Sequence, residues 1–320
     1  MKIDNKQIAT ERQLIMQAIR SFFVERGFLE VDTPCLVKSP GMEPNLDPFV
    51  SELKEADNLH VAALITSPEY SMKKLLGEGL EAIFTLPHVF RNGEFFDETH
   101  NPEFTLLEWY KQGKDYQYCM QETEDLIRFV GKQFNKGFPK FKKATMQDLF
   151  LEKTGIDLAT VTIKEMIDYC KENDMNYHES DSESDLFYRI FITKIEPNLG
   201  DDPIFVYDYP KHQAALARLT PNKLFGERFE LYINGLEICN GFTELVDSKE
   251  QRDRFLEEAK ERDNMGKQVF PIDEALITLL SSVLNPTYGN ALGVDRLHMV
   301  LTGRKDIREV LLFPAERLFV

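Results

Sequence analysis

The stretch Arg228-Phe229-Glu230-Leu231-Tyr232-Ile233-Asn234-Gly235-Leu236-Glu237-Ile238-Cys239-Asn240-Gly241-Phe242-Thr243-Glu244-Leu245 decides the fold. Its two halves are rich in β-branched and aromatic residues and are separated by Asn234-Gly235 alone. That dipeptide suits a type I′ turn, where both central residues need positive φ. Strands joined by two residues must be antiparallel. Alternation then sets Tyr232 opposite Glu237, with Glu230 and Glu237 diagonal on one face. Two such acids repel unless a cation such as Mg²⁺ lies between them, or unless both are simply solvated. Glu244 falls out of register with Glu237. A bulge at Asn240-Gly241 would turn it back.

Working outward, most other strands also come in hairpins. Extended stretches cover Ala82–Arg91 and Phe104–Tyr110 on one side and Ile204–Tyr207 on the other. Helical patterns are grouped between them. A first helix begins near Thr10, with Leu14, Ile15, Ala18, Ile19, Phe22 and Phe23 on one stripe, and Gly27 stops it. The run Phe28 to Val31 is extended and ends before Pro34. Ser67-Pro68-Glu69 starts another helix. Residues 112–200 read as a mainly helical insertion. Thr145 and Thr162 open helices there, and the acidic run Glu172–Asp185 reads as a solvated loop. The expected fold class is α+β, a central antiparallel sheet flanked by helices, in one catalytic domain over 1–320.

Composition narrows the function classes. The chain has 320 residues, 42% of them hydrophobic, enough for a large core. A net charge of −16 disfavours broad nucleic-acid binding. No apolar run is long enough to span a membrane. Four scattered cysteines without a CxxC pair argue against zinc and disulfides and suit the cytoplasm.

Two further constellations carry chemistry. Phe90-Arg91-Asn92 ends a strand before a polar loop, where the arginine can clamp a phosphate. In Gly289-Asn290-Ala291-Leu292-Gly293-Val294-Asp295-Arg296-Leu297, residues 289, 291 and 293 place small side chains on one strand face. Backbone there can lie close to a ligand, and Arg296 opens the next helix. This is neither a G-x-G-x-x-G fingerprint nor a Walker loop.

These blocks, with Thr66-Ser67-Pro68-Glu69-Tyr70 and His100-Asn101-Pro102-Glu103-Phe104-Thr105-Leu106-Leu107-Glu108-Trp109-Tyr110, resemble the ordered signature of class II lysyl-tRNA synthetases. Gly27–Pro34 resembles that class's first motif, which builds a homodimer interface. The first helix begins so early that no anticodon-binding barrel is expected before it. In this the chain is similar to the truncated paralogues that join (R)-β-lysine to elongation factor P. Glu108-Trp109-Tyr110, the stretch Tyr209–Ala217, and Ala291 in place of glycine agree with that group.

The resemblance implies ATP and Mg²⁺ as cofactors and an ATP site of Arg91, Asn92, Glu94, His100, Asn101, Phe104, Glu237, Ile238, Gly293 and Arg296. Arg91 would meet the α-phosphate, Arg296 the γ-phosphate, and Phe104 the adenine. Glu230 and Glu237 would hold Mg²⁺. Glu69 would take the amine beside the carboxylate. Glu108, Tyr110 and Glu244 would take the ε-ammonium, with Ser67, Pro68, Asn240 and Ala291 completing the amino-acid site. Elongation factor P would be the acceptor. The motif-two loop departs from the family pattern. Gly93 separates Asn92 from Glu94, and Asp97, Glu98 and Thr99 stand where the family carries a basic residue. An α-lysine enzyme acting on tRNA or a small molecule, or a silent binding paralogue, are the competing readings.

Overall fold

The computed structural model describes residues 4–214 and 216–320. Of the stretch 209–217, Ala215 lies outside the described residues. Asp4 caps the first helix by accepting from the Lys6 amide, so α1 runs Asn5–Val24, five residues earlier than the apolar stripe alone suggests. Ile8 extends the buried stripe toward the N-terminus, whereas Leu14 is 37% exposed. Gly27 takes φ 79°, the left-handed turn that ends such a helix.

Short strands β1 (Leu29–Glu30), β2 (Leu36–Val37), β3 (Val50–Glu55) and β4 (Asn58–Leu64) follow. Next come α2 (Glu69–Gly77), β5 (Ala82–Thr85), β6 (His88–Phe90), β7 (Glu103–Gln112) and α3 (Tyr116–Lys132). The middle of the chain holds β8 (Lys142–Thr145), α4 (Met146–Thr154), α5 (Ile163–Glu172), α6 (Glu183–Ile190), β9 (Ile204–Pro210), β10 (Phe225–Ile233) and β11 (Leu236–Thr243). The last stretch holds α7 (Ser248–Asn264), α8 (Glu274–Leu280), β12 (Thr287–Gly293), α9 (Val294–Thr302) and α10 (Ala315–Phe319).

These elements form two compact units: Met1–Gly137 with Glu244–Val320, and Phe138–Thr243. The helical stretch expected over 112–200 divides between them, α3 in the first and α4 to α6 in the second. In the first unit β5, β6 and β12 pair antiparallel with β7, and β2, β4 and β3 form a small separate sheet. In the second unit β9, β10 and β11 are antiparallel neighbours.

The fold is α+β, with one correction. β1 pairs parallel with β5 and β8 parallel with β9. In both cases a long crossover separates the partners, as a parallel pair requires, with α2 in the first and α4 to α6 in the second.

The core of the first unit forms where α1 lays Phe22 and Phe23 on the sheet. Phe23 stacks on Phe84 at 4.9 Å and lies 5.3 Å from Trp109. Truncating either buried Phe22 or Phe23 to alanine should cost about 3–5 kcal/mol. The second unit packs Phe150, Phe187, Ile190 and Phe191 against Val206 and Tyr232. Thr162 and Glu165 form the expected capping box. Thr145 caps α4 one way only. The end of the acidic run is not loop: Ser182 and Asp185 make a second capping box and start α6.

Candidate active site

Strand alternation builds the amino-acid end of the site, all within the first unit. On β12, Tyr288 and Asn290 point to the α3 side, donating to Glu122 and Thr123. Gly289, Ala291 and Gly293 therefore face the other way. Across the ladder they meet Tyr110, Glu108 and Leu106 of β7. A methyl on Gly289 would lie 2.2 Å from Glu244 Oε1 and 2.3 Å from the Tyr110 ring. Only glycine leaves room there for both.

Glu108 is buried. It accepts from the Tyr110 hydroxyl at 2.6 Å and from Ser67 Oγ at 2.7 Å. Burial first, then the charge of Glu69, pushes its carboxyl well above the usual range. Glu244 is 1% exposed. Burial raises it as well, against the opposing pull of Lys73. Its Oε1 accepts no hydrogen bond among the described residues. Buried acids with unused lone pairs are what an incoming ammonium completes.

Lys73 is the residue that sequence reading missed. It sits on α2, one turn after Glu69, and is 2% exposed. Its Nζ lies 2.5 Å from Glu69 Oε1 and 2.6 Å from Glu244 Oε2. Spacing of i, i+4 from Glu69 was a signal, but such pairs are ordinarily surface decoration. Ser67 accepts from the Glu69 amide at 3.1 Å while its hydroxyl serves Glu108. The helix itself starts at Glu69, with Pro68 in the cap position rather than the first turn.

At the nucleotide end, Arg91 closes β6. Its guanidinium lies 5.1 Å over the Phe104 ring, a cation–π arrangement. Asp295 is buried and binds Arg12 at 2.5 Å and the Thr105 amide at 2.8 Å. It thereby ties α9 to α1 and β7 and fixes where Arg296 emerges. Arg296 reaches the Thr99 carbonyl at 3.3 Å and the His100 ring at 3.2 Å.

The departing motif-two loop is internally ordered. Gly93 takes φ 78°, which favours glycine. Asp97 accepts from the Thr99 and His100 amides and pairs with the His100 ring at 2.9 Å. Those contacts outweigh burial and hold its carboxyl down at about 2. Glu94 lies 3.8 Å from the same ring. The Asn92 side chain accepts from the Gly93 amide. Asn101 spends its amide on the Glu103 carbonyl and on the Ala315 N–H at the start of α10.

Glu230, Glu237, Ile238 and Asn240 belong to the second unit. The hairpin turn is type I′-like, with φ 54° at Asn234 and 70° at Gly235. Tyr232 does face Glu237. The register then shifts, because Leu231 pairs with Cys239 and leaves Ile238 as the extra residue. The bulge thus falls at Ile238, not at Asn240-Gly241. It puts Glu237 and Asn240 on one face.

Glu230 is not solvated, and most of its hydrogen-bonding capacity is already filled. Its oxygens accept from Arg228 at 2.6 Å, Tyr209 at 2.6 Å and Tyr232 at 2.5 Å. Arg228 also reaches Asn240 at 3.1 Å and the Gln213 carbonyl at 2.6 Å. An ionised carboxylate accepts about four hydrogen bonds, so Glu230 keeps roughly one site for a further partner. Glu237 is half-buried. Among the described residues, no three histidine, cysteine or acidic side chains converge on a metal site.

The profile described as tRNA synthetases class II (D, K and N) matches residues 1–317. The chain belongs to that family. Among curated proteins it is 39% identical to the elongation factor P–(R)-β-lysine ligase of Histophilus somni (strain 2336), covering 94% of this chain and 93% of that one. It is 37% identical to the ligase of the same name from Avibacterium paragallinarum, covering 97% and 96%. To that of Buchnera aphidicola subsp. Acyrthosiphon pisum (strain Tuc7) it is 36% identical, covering 96% and 95%. The family is one of ATP-using, amino-acid-activating enzymes, which fits the arginine and acid sets just described.

Proposed function

We propose that this chain is a ligase that activates a lysine isomer, (R)-β-lysine in preference to α-lysine, and joins it to a lysine side chain of elongation factor P. The observation that carries the reading is the acid trio of buried Glu108 and Glu244 with partly buried Glu69, Glu244 Oε1 lacking a hydrogen-bond partner among the described residues. Three acids in one dry site suit a substrate with two ammonium groups. An uncharged side chain would leave them unmatched, at about 1.5–3 kcal/mol per charged contact. The names of the full-length relatives point to the same isomer and acceptor.

In the first step the amino-acid carboxylate attacks the α-phosphorus of ATP. An O–P bond forms, the bond to the β-phosphate oxygen breaks, and pyrophosphate leaves. Arg91 and Arg296 stabilise the charge that develops, and the acid trio fixes the substrate's orientation. In the second step the acceptor amine attacks the carbonyl carbon, loses a proton, and AMP departs. Glu237, with the remaining lone pair of Glu230, would hold Mg²⁺, which would neutralise phosphate charge. Asn92, Glu94, His100, Asn101, Phe104, Ile238 and Gly293 would frame the nucleotide.

A homodimer goes with this reading. Leu29 is an exposed apolar residue within the Gly27–Pro34 stretch, and Val24, Leu36, Val50, Leu53, Leu59 and Val61 are exposed apolar residues on the flanking α1, β2, β3 and β4. All four cysteines are free thiols, compatible with a reducing cytoplasm. No described helix is long and apolar enough to cross a membrane.

ATP–pyrophosphate exchange with (R)-β-lysine, (S)-β-lysine and α-lysine, followed by mass measurement of elongation factor P, tests the proposal. Exchange strongest with (R)-β-lysine and a matching mass gain are expected. No exchange with any isomer would return the chain to a silent binding protein. Strongest exchange with α-lysine would favour an α-lysine enzyme.

A further inference from the structure

The acid trio poses an electrostatic problem that the mechanism alone does not address. One lysine bridges Glu69 and Glu244 in the amino-acid site, where Glu244 is fully buried and Glu69 mostly so. Two buried carboxylates cannot both stay ionised at close range without a counter-charge. The counter-charge present is Lys73, whose single ammonium spans the two at 2.5 and 2.6 Å.

We infer that Lys73 is a positioning residue that sets both the charge and the spacing of the amino-acid site, so that the site accepts a substrate carrying two ammonium groups. This rests on the proposed roles of Glu69, Glu108 and Glu244.

Charge comes first. When Glu69, Glu108 and Glu244 are ionised around a bound substrate, Lys73 offsets one of their three charges and leaves two, one for each of the substrate's two ammonium groups. Lys73 remains protonated: burial opposes its charge, but Glu244 and Glu69 more than offset that and raise it above its ordinary value. The other titratable groups that act on this centre include Glu108, Glu43, Glu258, Tyr70 and Tyr110.

Spacing comes second. Glu69 lies on α2, and Glu244 follows β11 and donates its amide to the Thr287 carbonyl at the start of β12. No direct contact is needed between helix and strand, because one Lys73 amine bonds an oxygen of each acid. Glu244 Oε2 faces Lys73, and this leaves Oε1 beside Gly289 and Tyr110 without a hydrogen bond. A lysine that orients one oxygen inward and leaves the other for a ligand acts through the acid. It needs no contact with the reacting atoms.

The test compares wild type, Lys73→Met, Lys73→Arg and the double variant Lys73→Met/Glu244→Gln in pyrophosphate exchange. Wild-type exchange with a lysine isomer is the control for the proposed function. If it is absent, that function has failed rather than this inference. For Lys73→Met, the amino-acid KM should rise about 10- to 100-fold, the scale of losing a charged contact, while the ATP KM stays near wild type. The amino-acid KM should also become more sensitive to pH, since one of three uncompensated acids then takes a proton. Lys73→Arg, which keeps the charge but not the compact geometry, should fall between. An unchanged amino-acid KM in Lys73→Met, or an equal rise in both KM values, would overturn the inference. Should Lys73→Met fail to fold, removing the stranded acid in the double variant should restore folding. If the double variant is as unstable as the single one, charge balance is not what Lys73 provides.

Discussion

Two buried acid networks, one in each unit, fall within the sequence's best motifs, and they are built on opposite principles. In the second unit, Glu230 is surrounded by Arg228, Tyr209 and Tyr232, and each of its oxygens is used. In the first unit, Glu108 is served by two neutral hydroxyls, and Glu244 shares one lysine with Glu69 and keeps an oxygen unserved. A network filled to this extent holds a strand pair in register. An incomplete one stores an unmet demand that a ligand can meet. Burial of an acid therefore does not mark a binding group. The unfilled part of its hydrogen-bonding capacity does.

The comparison is broken most directly by swapping each acid for its amide. Glu230→Gln leaves the Arg228 guanidinium buried without its charge partner, and should cost about 3–5 kcal/mol of stability. Glu108→Gln keeps the shape, has no direct basic partner to strand, and should change stability by less than about 1 kcal/mol. It should instead raise the amino-acid KM. Denaturant titration at pH 7 of both variants decides this. Equal losses would mean the two networks are the same kind of structure. Glu237→Gln, on the half-buried side of the same hairpin, should shift the Mg²⁺ dependence of exchange upward with the fold intact.

The arginines provide the next largest effect. Arg91→Ala and Arg296→Ala should each lower exchange by about 10²–10³, the usual worth of one group that stabilises transition-state charge. Circular dichroism should remain that of wild type. Near-normal exchange in either would remove that residue from the phosphate-binding set.

How much of this was legible in the chain depends on range. The hairpin, its type I′ turn and the small-residue face at 289, 291 and 293 follow from period-two alternation and a two-residue turn, both local. The parallel pairs β1/β5 and β8/β9 were not legible, because nothing local specifies which distant strand a short segment joins. The bulge at Ile238 was expected in kind but misplaced, since Asn240-Gly241 offered the stronger turn chemistry and tertiary pairing prevailed. Lys73 was missed because an i, i+4 ion pair with Glu69 looks identical on a solvated helix. Only the arrival of Glu244, 171 positions away, makes it a buried bridge. The start of α6 was hidden within an acidic run whose charge suggested solvent. Its Ser182 and Asp185 are spaced for a capping box all the same.

Substrate choice gives a smaller effect. Ala291 faces Glu108, one rung from Gly293 at the nucleotide end and one rung from Gly289 at the Glu244 end. A rung of two residues is about 6.8 Å, so its methyl lies between the distal acid and the phosphate arginines, packed near Phe104 and Ile65. That is where an amino group moved by one carbon changes the substrate's shape. Ala291→Gly should therefore shift the kcat/KM ratio toward α-lysine by about 1–3 kcal/mol, roughly 10- to 200-fold. An unmoved ratio would separate isomer choice from this strand.

The sharpest test of the comparison is in pH. Glu108 and Glu244 have carboxyls raised by burial before any other cause. The empty protein therefore carries proton that the unfolded chain has already released above the ordinary glutamate range. More protons bound in the folded state means that stability falls as pH rises through that window. The ammonium groups of the substrate bind the ionised acids, so substrate binding must expel those protons. The amino-acid KM should accordingly fall as pH is raised from about 6.5 to 8.5, by up to about tenfold per unit for each proton released. The substrate's side-chain amine, with an ordinary value near 10.4, stays charged over that range. ATP serves as the control, because its proposed phosphate ligands Arg91 and Arg296 are guanidinium groups and not buried carboxyls. Thermal melts should show the gap between empty and substrate-bound protein widening with pH, and Glu108→Gln should flatten it. A gap that narrows instead, or one that Glu108→Gln leaves unchanged, would mean the raised acids are scaffold like Glu230 and not the receptor for the substrate's ammonium.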